Sequence, residues 1–263
     1  MYHMNDSNNV LELSRYTVEL YREKFGEPQP LGSGLLIKYH GMHLLISAYH
    51  VIDLEDERIN IENDLEEVGI PQDDMEGIRV KGLNSFFLVN NNVEALVCTA
   101  HFDEVTNEPL FSDDIEWCVC KLSEEEIHYF FEMGKSFYEM YSPKTDTINI
   151  GAEIIISGYP KYAQQVNPET FRSYKGELNE DFIIGKSGLF RIHFDNDRAY
   201  CYEKEKEISI PKPDGIKGMS GGGIWCKFIN KFIPLGIIIK QGPDYVEGYS
   251  LAEILKNDTI DKI

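Results

Sequence analysis

The sequence is a series of short β-favouring runs separated by turn residues, with one clear helical pattern among them. The best-defined pair is 35–39 and 42–47, which flank a His40-Gly41 turn and predict a β-hairpin. Similar runs occupy residues 86–90, 94–101, 115–122, 153–157, 181–184, 188–194, 206–210, 223–229 and 232–239. Because helices do not alternate with these runs, the pattern predicts an all-β sandwich or barrel.

A single helix is predicted near the middle of the chain. Ser123, followed by Glu126, forms a capping box, and the apolar residues after it predict a helix that ends before Pro143. We interpret this helix as a connector between two β-rich halves. Residues 10–25 fit a helix or a strand, and periodicity does not choose between them. The predicted organisation is an N-terminal extension at 1–30, a first β unit with the connector helix at 31–142, and a second β unit at 143–263.

The net charge of −20 excludes some classes of partner. Nucleic acids and anionic membranes attract basic surfaces, so we expect neither as a partner. The first residues show no basic stretch followed by an apolar run, and no apolar window is long enough to span a membrane. The five cysteines form no CxxC pair, which favours reduced thiols over a structural zinc site. Together these features predict a cytoplasmic protein.

Three segments carry residues suited to nucleophilic catalysis. His50 ends an apolar strand, Ser220 lies in the glycine-rich run 218–223, and acids at 113–116 precede another apolar strand. A nucleophilic serine needs small neighbours because nearby backbone N–H groups must converge on an oxyanion, and a carboxylate orients the histidine. Taken alone, the histidine and the acids are more typical of ordinary structure. The glycine-rich turn fits either interpretation equally well.

Taken together, these segments resemble the trypsin-like (chymotrypsin-fold) serine proteases. The stretch SAYHV at 47–51 is similar to the histidine motif of that family, and GMSGG at 218–222 is similar to its nucleophile motif. GSGL at 32–35 resembles the start of the first hairpin, and LGI at 235–237 the strand that borders the substrate pocket. The nucleophile run and GYP at 158–160 look most like the bacterial cytoplasmic branch.

The resemblance implies a fold and a set of catalytic roles. The expected fold is all-β, with two packed antiparallel six-stranded β-barrels (chymotrypsin-like), a connecting helix, and an active site in the cleft between the barrels. Ser220 would be the nucleophile and His50 the general base, while the backbone N–H groups of Gly218 and Ser220 would form the oxyanion hole. Such a triad needs no metal or cofactor. The Lys121-Leu122 register places Glu116 at the acid position, and a shift by two residues would use Asp114 instead.

Two positions depart from the family pattern. Met219 stands where secreted relatives usually have Asp, so activation by cleavage of the N-terminus is not implied. Ile239 stands where the pocket strand commonly has Ser. Together with Glu116, these departures leave an alternative open: a binding or scaffold module with a protease fold and no activity. A third reading is an enzyme whose oxyanion loop, 215–219, is ordered only by a partner or trigger.

The resulting functional prediction is a serine endopeptidase that hydrolyses peptide bonds through an acyl-enzyme. Its partners would be a protein or peptide substrate and an activating protein. The resemblance to the cytoplasmic branch also suggests a role in bacterial defence or stress.

Overall fold

The computed structural model describes residues 12–24, 27–52, 78–80, 96–98, 101–102, 109–110, 117–141, 153–160, 172–177, 188–193, 200–203, 206–209, 218–228, 231–242 and 245–256. In the first half, the elements are β1 (Thr17–Lys24), β2 (Glu27–Tyr39), β3 (Met42–Ala48), α1 (Tyr49–Ile52), β4 (Ile78–Val80), β5 (Leu96–Cys98), β6 (His101–Phe102), β7 (Pro109–Leu110), β8 (Trp117–Lys121), α2 (Glu124–Glu132) and β9 (Tyr138–Met140). In the second half, they are β10 (Glu153–Gly158), β11 (Arg172–Glu177), β12 (Leu189–His193), β13 (Tyr200–Glu203), β14 (Lys206–Ser209), β15 (Gly223–Phe228), β16 (Lys231–Gln241), β17 (Tyr245–Ser250) and α3 (Leu251–Leu255).

The strands form two main sheets, one from each half of the chain. The first sheet has the order β4-β1-β2-β3-β8-β5, and β9 pairs in parallel with β2. The second sheet has the order β12-β17-β16-β15-β10-β11-β13-β14, with antiparallel pairs throughout the described residues. Strands β6 and β7 form a separate antiparallel pair. The all-β prediction is therefore confirmed.

The sheets differ from the expected pair of six-stranded barrels. The first sheet has seven strands and the second has eight, and the described pairings close neither sheet on itself. Two six-stranded closed barrels are thus not confirmed. The strands predicted at 86–90 and 181–184 lie outside the described residues.

The predicted β-hairpin is confirmed as β2 and β3. Leu35 pairs with Ile46, and the register continues to Tyr39 and Met42 at the turn. The two turn residues, His40 and Gly41, both have positive φ angles, at 48° and 85°. Positive φ at both central residues is the geometry of a type I′ turn, whose twist matches that of the flanking strands. The hairpin therefore follows from local sequence.

The helix predicted after Ser123 is confirmed as α2. Ser123 Oγ accepts a hydrogen bond from Glu126 N at 3.3 Å, and the Glu126 carboxylate accepts one from the backbone N–H of Ser123. This reciprocal capping satisfies two backbone donors at the helix start. The helix buries Phe130 against the first sheet's core and leads into β9.

The N-terminal segment differs from the predicted extension over residues 1–30. A helical turn at 12–14 precedes β1, which pairs with β2 on one side and β4 on the other. The predicted boundary at residue 30 falls inside β2, so the first sheet begins earlier than expected. Pro28 and Pro30 do prevent a helix, but proline is compatible with extended backbone away from a central ladder position.

The two sheets share a hydrophobic core. Trp225 of β15 is fully buried in the cluster that the first sheet forms, and its ring centroid lies 5.9 Å from Tyr16 and 5.8 Å from Tyr138. A second cluster, which includes Met219 and Phe190, lies within the second half. The first cluster therefore joins the halves. Within the described parts of the chain, no helix combines the length and the apolar character needed to cross a membrane.

Candidate active site

Ser220 lies in a tight turn that leads into β15. The N–H of Gly222 donates to the carbonyl of Met219 at 2.8 Å, which closes a β-turn over residues 219–222. Gly221, the second central residue, has a φ of 81°, the value that a type II turn requires there. Gly218, two residues before the serine, also has a positive φ, at 90°. Ser220 is therefore held at the first corner of the turn, between two glycine-dependent backbone positions.

No other residue fits at Gly221. A Cβ atom there would lie 1.9 Å from the carbonyl oxygen of Ser33 and 2.2 Å from Ser47 Oγ. These distances are far inside van der Waals contact, and the positive φ adds a backbone penalty for any L side chain. The predicted need for glycine in this run thus has a specific cause, the close approach of the first sheet.

The central peptide of the turn is hydrogen-bonded to both sheets. The carbonyl of Ser220 accepts a hydrogen bond from the N–H of Ser33 in β2 at 2.7 Å, and the N–H of Gly221 donates to the carbonyl of Ile238 in β16 at 2.7 Å. The N–H of Ile238 in turn donates to the carbonyl of Gly222 at 2.8 Å. These bonds fix the plane of the peptide that follows the Ser220 side chain.

Met219 fixes the turn to the second half. Its side chain is fully buried in the second hydrophobic cluster. A Cβ on Gly158 would lie 3.3 Å from both Cβ and Cε of Met219, so β10 also approaches it closely. Where secreted proteases of the resembled family usually have Asp, this chain therefore has an apolar group that is stabilised by burial.

The segment that carries His50 approaches the turn from the first sheet. His50 lies in α1 directly after β3 and is exposed, while the next residue, Val51, is buried. A Cβ on Gly32 would lie 2.7 Å from the carbonyl oxygen of Ser220 and 2.8 Å from Cγ2 of Val51. The segments that carry His50 and Ser220 therefore meet at Gly32, where a larger residue would separate them.

The groups predicted for the oxyanion hole are the N–H groups of Gly218 and Ser220. Among the described residues, no backbone hydrogen bond uses either N–H, and Ser220 itself is half-buried.

The predicted acids, Glu116 and Asp114, lie outside the described residues. The described residue next to Glu116 is Trp117, which pairs with Ala48, two residues before His50. Trp117 also packs against Tyr249 of the second sheet, with ring centroids 5.9 Å apart. The start of β8 thus lies beside the end of β3, and the chain continues from that end of β3 to His50.

Ser33 is the centre of a group of buried hydrogen bonds next to the Ser220 turn. The sequence alone did not indicate this group. Ser33 Oγ accepts a hydrogen bond from the N–H of Tyr159 at 2.9 Å, and Ser47 Oγ donates to the Ser33 carbonyl at 2.8 Å. Ser33 and Ser47 are fully buried. Small hydroxyl residues inside otherwise apolar strands were the available signal, but sequence does not show which backbone groups they contact.

The described residues contain no cluster of three or more His, Cys, Asp or Glu side chains that could hold a metal ion. Cys118, Cys120 and Cys226 are buried thiols, and burial raises the pKa of Cys226. Cys118 Sγ donates to the Ser47 carbonyl at 3.6 Å, beside the histidine segment. A buried thiol with a raised pKa is a poor nucleophile, so Cys226 is not a candidate nucleophile.

The comparisons with known proteins support the fold. No protein-family model matches the sequence, and no curated protein matches it. Among solved structures, the chain is similar to a thermostable serine protease, AL20, from an extremophilic microorganism, with a TM-score of 0.50 and 11% identity. The similarity covers 95% of this chain and 99% of that protein. At this identity it shows a protease-like all-β fold, and it does not show the bacterial cytoplasmic branch.

Proposed function

We propose that this chain is a serine endopeptidase in which Ser220 is the nucleophile and His50 the general base. Ser220 Oγ attacks the scissile carbonyl carbon while His50 accepts its proton. The tetrahedral oxyanion binds the N–H groups of Gly218 and Ser220. His50 then protonates the leaving amine, which leaves an acyl-enzyme on Ser220. A water molecule, deprotonated by His50, hydrolyses this ester and releases the acid product.

One observation carries the proposal. Gly32 adjoins both the carbonyl of Ser220 and the side chain of Val51, the neighbour of His50. Two motifs far apart in the chain, each ambiguous alone, thus lie at one junction between the sheets. The positive φ angles of Gly218 and Gly221 give the serine the unusual backbone surroundings that an oxyanion hole requires.

The remaining parts of the proposal rest on the resemblance. Glu116 would orient His50, with Asp114 as the alternative acid. Closure of each sheet into a barrel, a location in the cytoplasm of a bacterium, and activation by a partner protein in defence or stress also belong to the proposal. The protein would act on protein or peptide substrates without a metal or cofactor.

Hydrolysis of an unfolded protein substrate such as casein tests this function. The wild type should release peptides, and Ser220→Ala and His50→Ala should each lower the rate by at least about 10³-fold, as expected when a triad member is removed. Ser136→Ala is the matched control, because Ser136 lies outside the site and its described contact uses backbone N–H. Hydrolysis that persists in Ser220→Ala would contradict the proposal.

The alternative function is a protease-fold binding module without activity. Ile239 favours it, because this residue of the pocket strand is buried in the core cluster where relatives commonly have Ser. This alternative predicts no hydrolysis by the wild type, and it predicts that Ser220→Ala binds the same partner with unchanged affinity. Loss of hydrolysis in Ser220→Ala, starting from an active wild type, would exclude it.

A further inference from the structure

Ser33 occupies the point where the nucleophile turn and both sheets meet. All three of its polar groups are used: its N–H donates to the Ser220 carbonyl, its carbonyl accepts from Ser47 Oγ, and its hydroxyl oxygen accepts from the N–H of Tyr159. The residue is fully buried. Its hydrogen bonds reach β3 of the first sheet, the end of β10 of the second sheet and the turn that carries Ser220.

The three hydrogen bonds of Ser33 hold different parts of the structure in place. The bond to Ser220 holds the turn, whereas the bonds to Ser47 and Tyr159 hold Ser33 itself. A Cβ on Gly158 would lie 2.9 Å from Ser33 Oγ, so the hydroxyl also fills a tight space beside β10. Removal of the hydroxyl leaves a small void and a buried N–H without its partner, and the strand can then shift under the turn.

We propose that Ser33 is a positioning residue for Ser220, whose hydroxyl couples the geometry of the nucleophile turn to the contact between the two sheets. The inference rests on the proposed function for its catalytic consequence. Its structural consequence stands apart from activity, because the turn that Ser33 holds through the Ser220 carbonyl also carries the amides of Gly221 and Gly222, which donate to the carbonyls of Ile238 and Met219. A displacement of the order of 1 Å in a reacting group costs up to about 100-fold in rate.

The test compares Ser33→Ala with Thr17→Val. Thr17 is the matched control because it is also fully buried in the first sheet and its hydroxyl makes one described hydrogen bond, to the Leu13 carbonyl at 3.2 Å. Both variants lose one buried hydroxyl, but only Ser33 contacts the nucleophile turn. A fold-wide loss of stability therefore affects both, and a positioning effect should appear in Ser33→Ala alone.

Two readouts are measured on each purified full-length variant. In peptide hydrolysis, Ser33→Ala should lower kcat by about 10-fold or more with KM within twofold, because the hydroxyl acts on the nucleophile and not on substrate binding. In hydrogen exchange, the peptide that contains Gly221 and Gly222 should exchange at least about 10-fold faster in Ser33→Ala. Thr17→Val should match the wild type in both.

The outcomes separate the two proposals. A wild type without activity would overturn the proposed function, and hydrogen exchange of the turn would still decide the role of Ser33. An active wild type with unchanged kcat and unchanged exchange in Ser33→Ala would overturn the positioning role. Equal effects of Ser33→Ala and Thr17→Val would also overturn it, since both would then report general destabilisation.

Discussion

The two segments that carry His50 and Ser220 are placed by different kinds of interaction. The histidine follows β3, whose register is set by neighbouring β2 and by the His40-Gly41 turn. The serine turn is placed by contacts with residues distant in sequence, namely Ser33 and Ile238. Local sequence therefore sets the register of the hairpin that leads to the histidine segment, whereas the position of the serine turn depends on how the two sheets pack. Variants that disturb each segment separately can test this difference.

The largest effect is expected at Gly221. Gly221→Ala places a methyl group 1.9 Å from the Ser33 carbonyl oxygen, at a φ of 81°. We expect a loss of more than about 4 kcal/mol in unfolding free energy, measured by urea denaturation, because both backbone strain and overpacking contribute.

Gly134→Ala is the control for the Gly221 prediction. Gly134 also has a positive φ, at 70°, but a Cβ there would meet nothing within 4 Å. Its substitution should cost only the backbone penalty of about 1–2 kcal/mol. Equal costs at the two positions would show that the close contact between the sheets does not constrain the turn.

The second largest effect on stability is expected at Lys135, which joins the N-terminal segment to Tyr159 of the second half. Its Nζ donates to the carbonyls of Ser14 and Thr17 and to the hydroxyl of Tyr159, at 2.9, 2.8 and 3.0 Å. Burial lowers its pKa to about 8, against an opposing effect of Glu19. The unfolded chain, with a Lys pKa near 10.4, therefore binds more protons than the folded chain between these values.

Stability should accordingly rise with pH. The contribution of Lys135 is fully present above the unfolded pKa and is lost as pH falls through about 8. The full change is on the order of 3 kcal/mol, and about half of it should appear between pH 8 and 9.5. Thermal or urea unfolding over this range should show a slope for the wild type that Lys135→Met lacks. Parallel curves for the two proteins would contradict the assigned pKa.

The third effect concerns the core shared by the sheets. Trp225 is fully buried, and its Nε1 donates to Ser157 Oγ at 2.8 Å. Trp225→Phe leaves that hydroxyl without its partner and opens a cavity, so we expect a loss of about 2 kcal/mol in urea denaturation. Phe228→Ala, at an exposed position of the same strand, should cost under about 0.5 kcal/mol. A neutral Trp225→Phe would indicate that the sheets do not depend on this contact.

The smallest effect is expected at Gly41, and it tests whether the histidine segment depends on local sequence. Gly41→Ala meets nothing within 4 Å, and only its φ of 85° opposes the substitution. We expect a cost of about 1 kcal/mol and an unchanged kcat, because the hairpin turn lies at the far end of β3 from His50. A kcat that falls as far as in Ser33→Ala would show that the histidine segment also depends on more than local register.

Elements that depend on neighbouring residues could be predicted from the sequence, whereas elements that depend on distant strands could not. The β2–β3 hairpin and helix α2 depend on turn and capping residues within a few positions, so both are predictable. β17 was missed because two of the three residues on its buried face are Gly248 and Ser250, so the sequence shows no alternation of apolar and polar residues there. Strand number and the role of β1 depend on pairing with distant segments, which periodicity does not report.

In the candidate site, too, local motifs could be predicted from the sequence and long-range contacts could not. The histidine and nucleophile motifs were recognisable as short patterns, whereas the hydrogen bonds of Ser33 join residues that only the folded chain brings together. Met219 was noted as a departure from the family pattern, and its burial in the second cluster appears only in the packed structure. The acid assignment between Glu116 and Asp114 stays a prediction.

The most direct test of the account is covalent labelling with a fluorophosphonate, followed by intact mass and peptide mapping. The reagent needs an activated serine, so it reports the assembled nucleophile without requiring the natural substrate. We expect one adduct per chain, located on Ser220, absent in Ser220→Ala and formed at least about 100-fold more slowly in His50→Ala. An unlabelled wild type, or an adduct that persists in Ser220→Ala, would contradict the account.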